Sequence, residues 1–117
     1  MKIVQVINAM ITNKSKISNV LRNDKEYFFL YNGKYKWSIT KSDNEEKYYI
    51  HFYPADDLSL QELSQWGDWE GFNYVTYSSE DLKTKEAVES FRELYQLVVN
   101  KVFGIDDIFD NIINDVN

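Results

Sequence analysis

Cysteine is absent from this 117-residue chain. That one absence removes disulfides, thiolate nucleophiles and cysteine-held zinc or iron–sulfur centres together. Proline occurs once and glycine four times, too few for a flexible linker or a low-complexity tail. The single histidine, His51, falls short of the three or four ligands that zinc generally takes. No apolar run approaches the ~20 residues needed to cross a bilayer. The opening MKIVQVINAMIT is interrupted by Gln5 and Asn8, and no small-residue cleavage site follows it. These absences point to a cytoplasmic protein with no membrane span, no metal and no cofactor. The P-loop, the dinucleotide fingerprint, G-x-S-x-G and H-E-x-x-H are also missing. No catalytic residue is assigned, and a non-enzyme is expected.

What is present is ample material for a core. The chain is 44% hydrophobic and 16% aromatic, and its length suits a single α+β domain over residues 1–117. The net charge of −6 is unevenly spread. Residues 1–41 carry eight Lys/Arg against two acidic groups, whereas residues 42–117 carry five against seventeen. Mutual attraction of the two halves within the fold is one reading of that asymmetry. An acidic partner surface is the other.

Ile3, Val6, Ile7, Met10 and Ile11 have the spacing of an amphipathic helix, and Ile17, Val20 and Leu21 resume at a compatible phase. The spacing predicts either one helix over about 2–22 or two helices joined near residues 13–15. In EYFFLYNGKYKWSIT, residues 26–40, Asn32-Gly33 between aromatic runs is a strong hairpin signal, because a type I′ turn needs positive φ at both central positions. A two-residue loop would pair Leu30 with Tyr35, Phe28 with Trp37 and Glu26 with Ile39 on one face. Tyr27, Phe29 and Tyr31 would then lie on the other face, opposite Ser38, Lys36 and Lys34. KYYIHFYP, residues 47–54, reads as a third strand with Tyr48, Ile50 and Phe52 on one side and Tyr49, His51 and Tyr53 on the other.

Ser59 and Glu62 form a capping box, with Leu58 and Leu63 at the staple positions and Gly67 placed to close the short helix. Residues 71–79 read as a fourth strand. Residues 84–104 form a long helix with Val88, Phe91, Tyr95, Val98 and Val102 on one side and Gly104 at its end. A last helix over 105–116 gathers Ile105, Ile108, Phe109, Ile112 and Val116. The expected fold is α+β: a four-stranded, mainly antiparallel sheet in the chain order α-β-β-β-α-β-α-α. Residues 2–22 would pack on one face and 84–116 on the other.

Two surfaces stand out as functional candidates. Trp66, Asp68, Trp69 and Glu70, with Asp106, Asp107 and Asp110, combine flat apolar area with carboxylates, a chemistry suited to a basic protein surface. The spacing of a calcium loop is missing there, so no metal is assigned. The alternative surface is an aromatic face bordered by cations: Tyr27, Phe29, Tyr31, Lys34, Lys36, Tyr49, His51 and Tyr53. Such a face would suit a ligand or single-stranded nucleic acid, although the acidic total charge and the missing RNA-recognition signature disfavour nucleic acid. The leading expectation is a small acidic protein that acts through protein–protein contact, of the immunity, antitoxin or phage-inhibitor type. A homodimer stays open.

Overall fold

The computed structural model describes residues 2–43, 45–54, 58–65, 74–82 and 84–115, the side chain of Asp106 excepted. Helix α1 (Lys2–Thr12) buries Ile3, Ile7 and Met10 along one stripe. It ends where both the backbone N–H and the side-chain amide of Asn13 donate to the Ala9 carbonyl, each at 2.9 Å. A single 3₁₀ turn follows at Lys14–Lys16. The chain then enters a strand, β1 (Ile17–Asn23), and the expected continuation of the helix to residue 22 is not formed. A β-bulge is the physical reason. Ser18 pairs with Leu30 and Leu21 with Phe28, so β1 spends three steps where its partner spends two. Asn19 takes up the extra residue in the left-handed region at φ 53°. Ile17 and Val20 consequently reach the same side of the sheet, and Leu21 reaches the other. A bulged strand thereby reproduced the spacing of three and four that reads as a helix.

Asp24 (φ 56°) turns the chain into β2 (Glu26–Tyr31), which pairs antiparallel with both β1 and β3 (Tyr35–Lys41). The Asn32-Gly33 turn forms as expected. Both residues have positive φ, 58° and 65°, and the Lys34 N–H donates to the Tyr31 carbonyl at 3.2 Å. Lys34 is then left over, and Tyr31 pairs with Tyr35. The whole ladder is one residue out of the register expected from a two-residue loop. Phe29 faces Trp37, Tyr27 faces Ile39, and Phe28 faces Ser38. Such a slip moves every β3 side chain to the other face.

β4 (Tyr48–Tyr53) extends the sheet, with Ile50 opposite Ile39 and Phe52 opposite Trp37. β5 (Val75–Ser78) closes it, giving five antiparallel strands in sequence order. The expected sheet had four, because β1 was counted as helix. Between β4 and β5, α2 (Leu60–Gln65) is held by the capping box: the Glu62 N–H donates to Ser59 Oγ at 3.1 Å and the Ser59 N–H to Glu62 Oε1 at 3.2 Å. Ser59→Ala should lower stability by about 1 kcal/mol, seen as a lower urea midpoint at unchanged slope. The proposed closure of this helix at Gly67 lies outside the described residues.

A short turn of helix, α3 (Ser79–Leu82), leads to α4 (Lys85–Phe103). Thr84 Oγ1 accepts from the Ala87 N–H at 3.1 Å to start α4, and Gly104, left-handed at φ 63°, ends it. Ala87, Phe91, Leu94 and Val98 are buried against α1 and the sheet. Ser90 Oγ donates to Asn8 Oδ1 at 2.9 Å, linking the two helices. Tyr95 sets its ring edge-on to Tyr27 at 5.7 Å. α1 and α4 therefore lie side by side on one face, not on opposite faces. The other face is covered in part by α2, whose Leu60 and Leu63 pack with Phe28 and Tyr53. Geometry accounts for this division. Five strands about 4.8 Å apart make a sheet roughly 20 Å wide, most of which two helices about 10 Å across cover. The last helix, α5 (Ile105–Asn114), follows on from α4 and packs against it, with little contact to the sheet.

Candidate functional site

The register decides what becomes of the aromatic face. Tyr27 and Phe29 are core residues beneath α1 and α4, and Tyr31 is partly buried beside them. Lys36, Tyr49, His51 and Tyr53 belong to the opposite face, and Lys34 sits in the turn. The aromatics of β2 are separated from the cations, because the extra residue at Lys34 places Lys36 opposite Leu30, where it lies beside Tyr53 on the other face. Lys36 Nζ donates to the Leu58 carbonyl at 2.5 Å, fastening the segment before α2. It lines a broad groove of about 790 Å³ floored by Leu21, Leu30, Leu58 and Leu60.

The opposite face holds the most organised polar cluster. Ser38 Oγ donates to Glu26 Oε2 at 2.5 Å and lies 2.8 Å from the Tyr53 hydroxyl, which also donates to Glu26 at 3.3 Å. Burial raises the pKa of the Glu26 carboxyl, and the hydrogen bonds from Ser38 and Tyr53 oppose the rise in part. Burial likewise raises the Tyr53 hydroxyl, so it stays protonated. His51 lies opposite Ser38 in the ladder, but its Nδ1 meets Thr76 Oγ1 at 2.8 Å, and burial lowers its pKa. A hydroxyl, a carboxylate and an imidazole are the parts of a nucleophilic site. Here Ser38 has no exposed surface, and its hydroxyl is turned to Glu26 rather than His51. The arrangement ties β2, β3 and β4 together through side-chain hydrogen bonds.

A titration follows from it. With its pKa raised in the fold, Glu26 keeps a proton that the unfolded chain releases. Its stabilisation is therefore fully present below the ordinary glutamate range and declines as pH climbs through the raised value. Glu26→Gln, which does not titrate, should be more stable than the parent at about pH 7 and equal to it near pH 4. The gain should stay below about 1 kcal/mol, since the group keeps some solvent contact. Melting curves at both pH values check this. An equal gain at both would assign the effect to packing.

The second candidate surface divides by position. Trp66, Asp68, Trp69 and Glu70 lie outside the described residues, as does the side chain of Asp106. Asp107 and Asp110 are exposed on α5. Elsewhere the acidic half finds partners: Asp43 with Lys25 at 2.6 Å, Glu46 with Arg92 at 2.8 Å, and Glu45 and Glu80 with Lys47 at 2.8 and 3.3 Å. Asp107, Asp110 and Asp115 make no ion pair among the described residues.

The apolar side of α5 was expected to pack inward, and it does not. Ile105, Ile108, Phe109, Ile112 and Ile113 recur at i, i+3, i+4, i+7 and i+8, one stripe of a helix about 15 Å long. Every described side chain from 107 to 115 is exposed, with Phe109 at 57% and Ile112 at 59%. Phe103, on the last turn of α4, is exposed beside them. Sequence reasoning found the stripe but not its exposure, since amphipathicity marks a face that needs covering and is silent on what covers it. No group of three or more acidic or histidine side chains placed to hold a metal occurs among the described residues, and no helix there is long and apolar enough to cross a membrane. No protein-family model, curated protein or solved structure matches this chain.

Proposed function

We propose that this chain is a small, non-catalytic acidic protein that works through protein–protein contact, with α5 as its docking helix. One observation carries the reading: an apolar stripe of isoleucines and a phenylalanine stands exposed on a helix whose polar side carries Asp107 and Asp110, which make no ion pair among the described residues. A contiguous exposed apolar patch with a polar rim marks a contact surface. An amphipathic helix laid in a groove is a recurrent mode of recognition, read through anchors at i, i+3, i+4 and i+7. The partner would offer an apolar groove with a basic rim. Its basic groups would meet Asp107 and Asp110 and speed encounter at low salt. A membrane surface suits the helix poorly, since interfacial helices carry Lys or Arg on their polar side and α5 has neither. Immunity proteins, antitoxins and phage-encoded inhibitors are the kinds of protein that act in this way.

Affinity capture from the source cell tests the reading. A defined protein should be retained by the parent chain at low salt, less at moderate salt, and lost with Ile108→Ser/Ile112→Ser. Equal retention by parent and variant would contradict a role for α5.

A further inference from the structure

A second uncovered region lies at the opposite edge of the sheet, where the helical layer runs out. On the helix-covered face Trp37 of β3 stands opposite Phe52 of β4, and Tyr77 of β5, opposite Ile50, lies diagonal to Phe52. The N-terminal turn of α1 contributes Lys2 and Val6, and α3 contributes Leu82. Together they enclose a groove of about 350 Å³, within the range of small-molecule sites (about 300–1,000 Å³). At about 30 Å³ per heavy atom, water's share of the liquid, it holds roughly a dozen atoms.

The polar chemistry of the groove has one sign. Among the described residues no carboxylate lines it, although the chain has nineteen acidic residues. Lys2 is exposed at its rim and makes no ion pair among the described residues. The first turn of α1 contains no acidic side chain, so its free N–H groups and positive dipole end are not neutralised locally. Trp37 packs its ring on Phe52 at 4.7 Å, and its buried indole N–H meets no acceptor among the described residues. Leaving a buried donor unpaired is unfavourable, and an incoming acceptor would relieve it.

We propose that this groove binds a small carboxylate with an apolar body. The carboxylate is held by the Lys2 ammonium and the Trp37 indole N–H, and the body lies along Val6, Phe52, Tyr77 and Leu82. Because the indole N–H has no free surface, the Trp37 side chain must swing slightly to reach the acceptor. Its own resonance is therefore the readout. The inference is independent of α5, which lies elsewhere.

Sodium decanoate, below its micelle concentration, is the probe, followed through the tryptophan indole signals in nitrogen-edited proton NMR. Trp37→Phe identifies the Trp37 signal. That signal should move downfield and saturate with decanoate. Lys2→Ala should weaken binding roughly five- to tenfold, the scale of one partly desolvated charge pair. Val6→Phe should abolish binding by filling the groove, with the rest of the spectrum retained. Decanol and decylammonium should bind more weakly than decanoate. A Trp37 signal that never saturates, or decylammonium binding as tightly as decanoate, would overturn the proposal. So would binding that survives Val6→Phe.

Discussion

Phe29→Ala should destabilise the chain by about 3–5 kcal/mol, the cost of emptying a large aromatic site in a core that cannot collapse around it. Phe29 has no exposed surface. It stands opposite Trp37, in the cluster that includes Ile7, Met10, Phe91 and Leu94. Its ring is thus part of the packing of α1 and α4 on the sheet, and the loss is a large share of the roughly 5–15 kcal/mol that holds a domain together. Tyr35→Ala, at the exposed start of β3, is the control and should change stability by no more than about 0.5 kcal/mol. Urea titration of the two variants separates them. Similar small effects would mean that Phe29 does not sit beneath the helices.

The second large effect is on binding, with stability unchanged. Ile108→Ser/Ile112→Ser replaces two side chains that are already more than half exposed, so the unfolding free energy from urea titration should change by no more than about 0.5 kcal/mol. Serine leaves the acidic flank as it is and removes only apolar area. Partner affinity should nevertheless fall at least about thirtyfold, the loss of a central anchor worth about 2 kcal/mol or more. The two measurements together discriminate. If the stripe were buried against the body, stability would fall by several kcal/mol and binding would fall only as a consequence.

Features set by neighbouring residues were legible in the sequence. The Ser59–Glu62 box, the Gly104 end of α4, and the positive φ pair at Asn32-Gly33 all formed as their residue types dictate. What failed depended on a single inserted residue. Asn19 makes a bulge that gave β1 a helical spacing, and Lys34 displaces the β2–β3 register so that Phe29 meets Trp37. Neither insertion has a local signature, because the extra residue is chosen by which face the strand must bury. The placement of α1 and α4 on one face, and the exposure of α5, are properties of the whole fold. Of the candidate surfaces, the acidic side of α5 was visible in the residue types. The split of the aromatic face was not, since it hangs on that register.

On the reading proposed above, the apolar side of α5 faces a partner. Photo-cross-linking tests it most directly: p-benzoylphenylalanine is placed at position 109 and the chain is irradiated in the source cell, with exposed position 89 on α4 as the control. One discrete protein adduct is expected from position 109, absent from position 89 and lost with Ile108→Ser/Ile112→Ser. No adduct from position 109, or the same adducts from both positions, would contradict it.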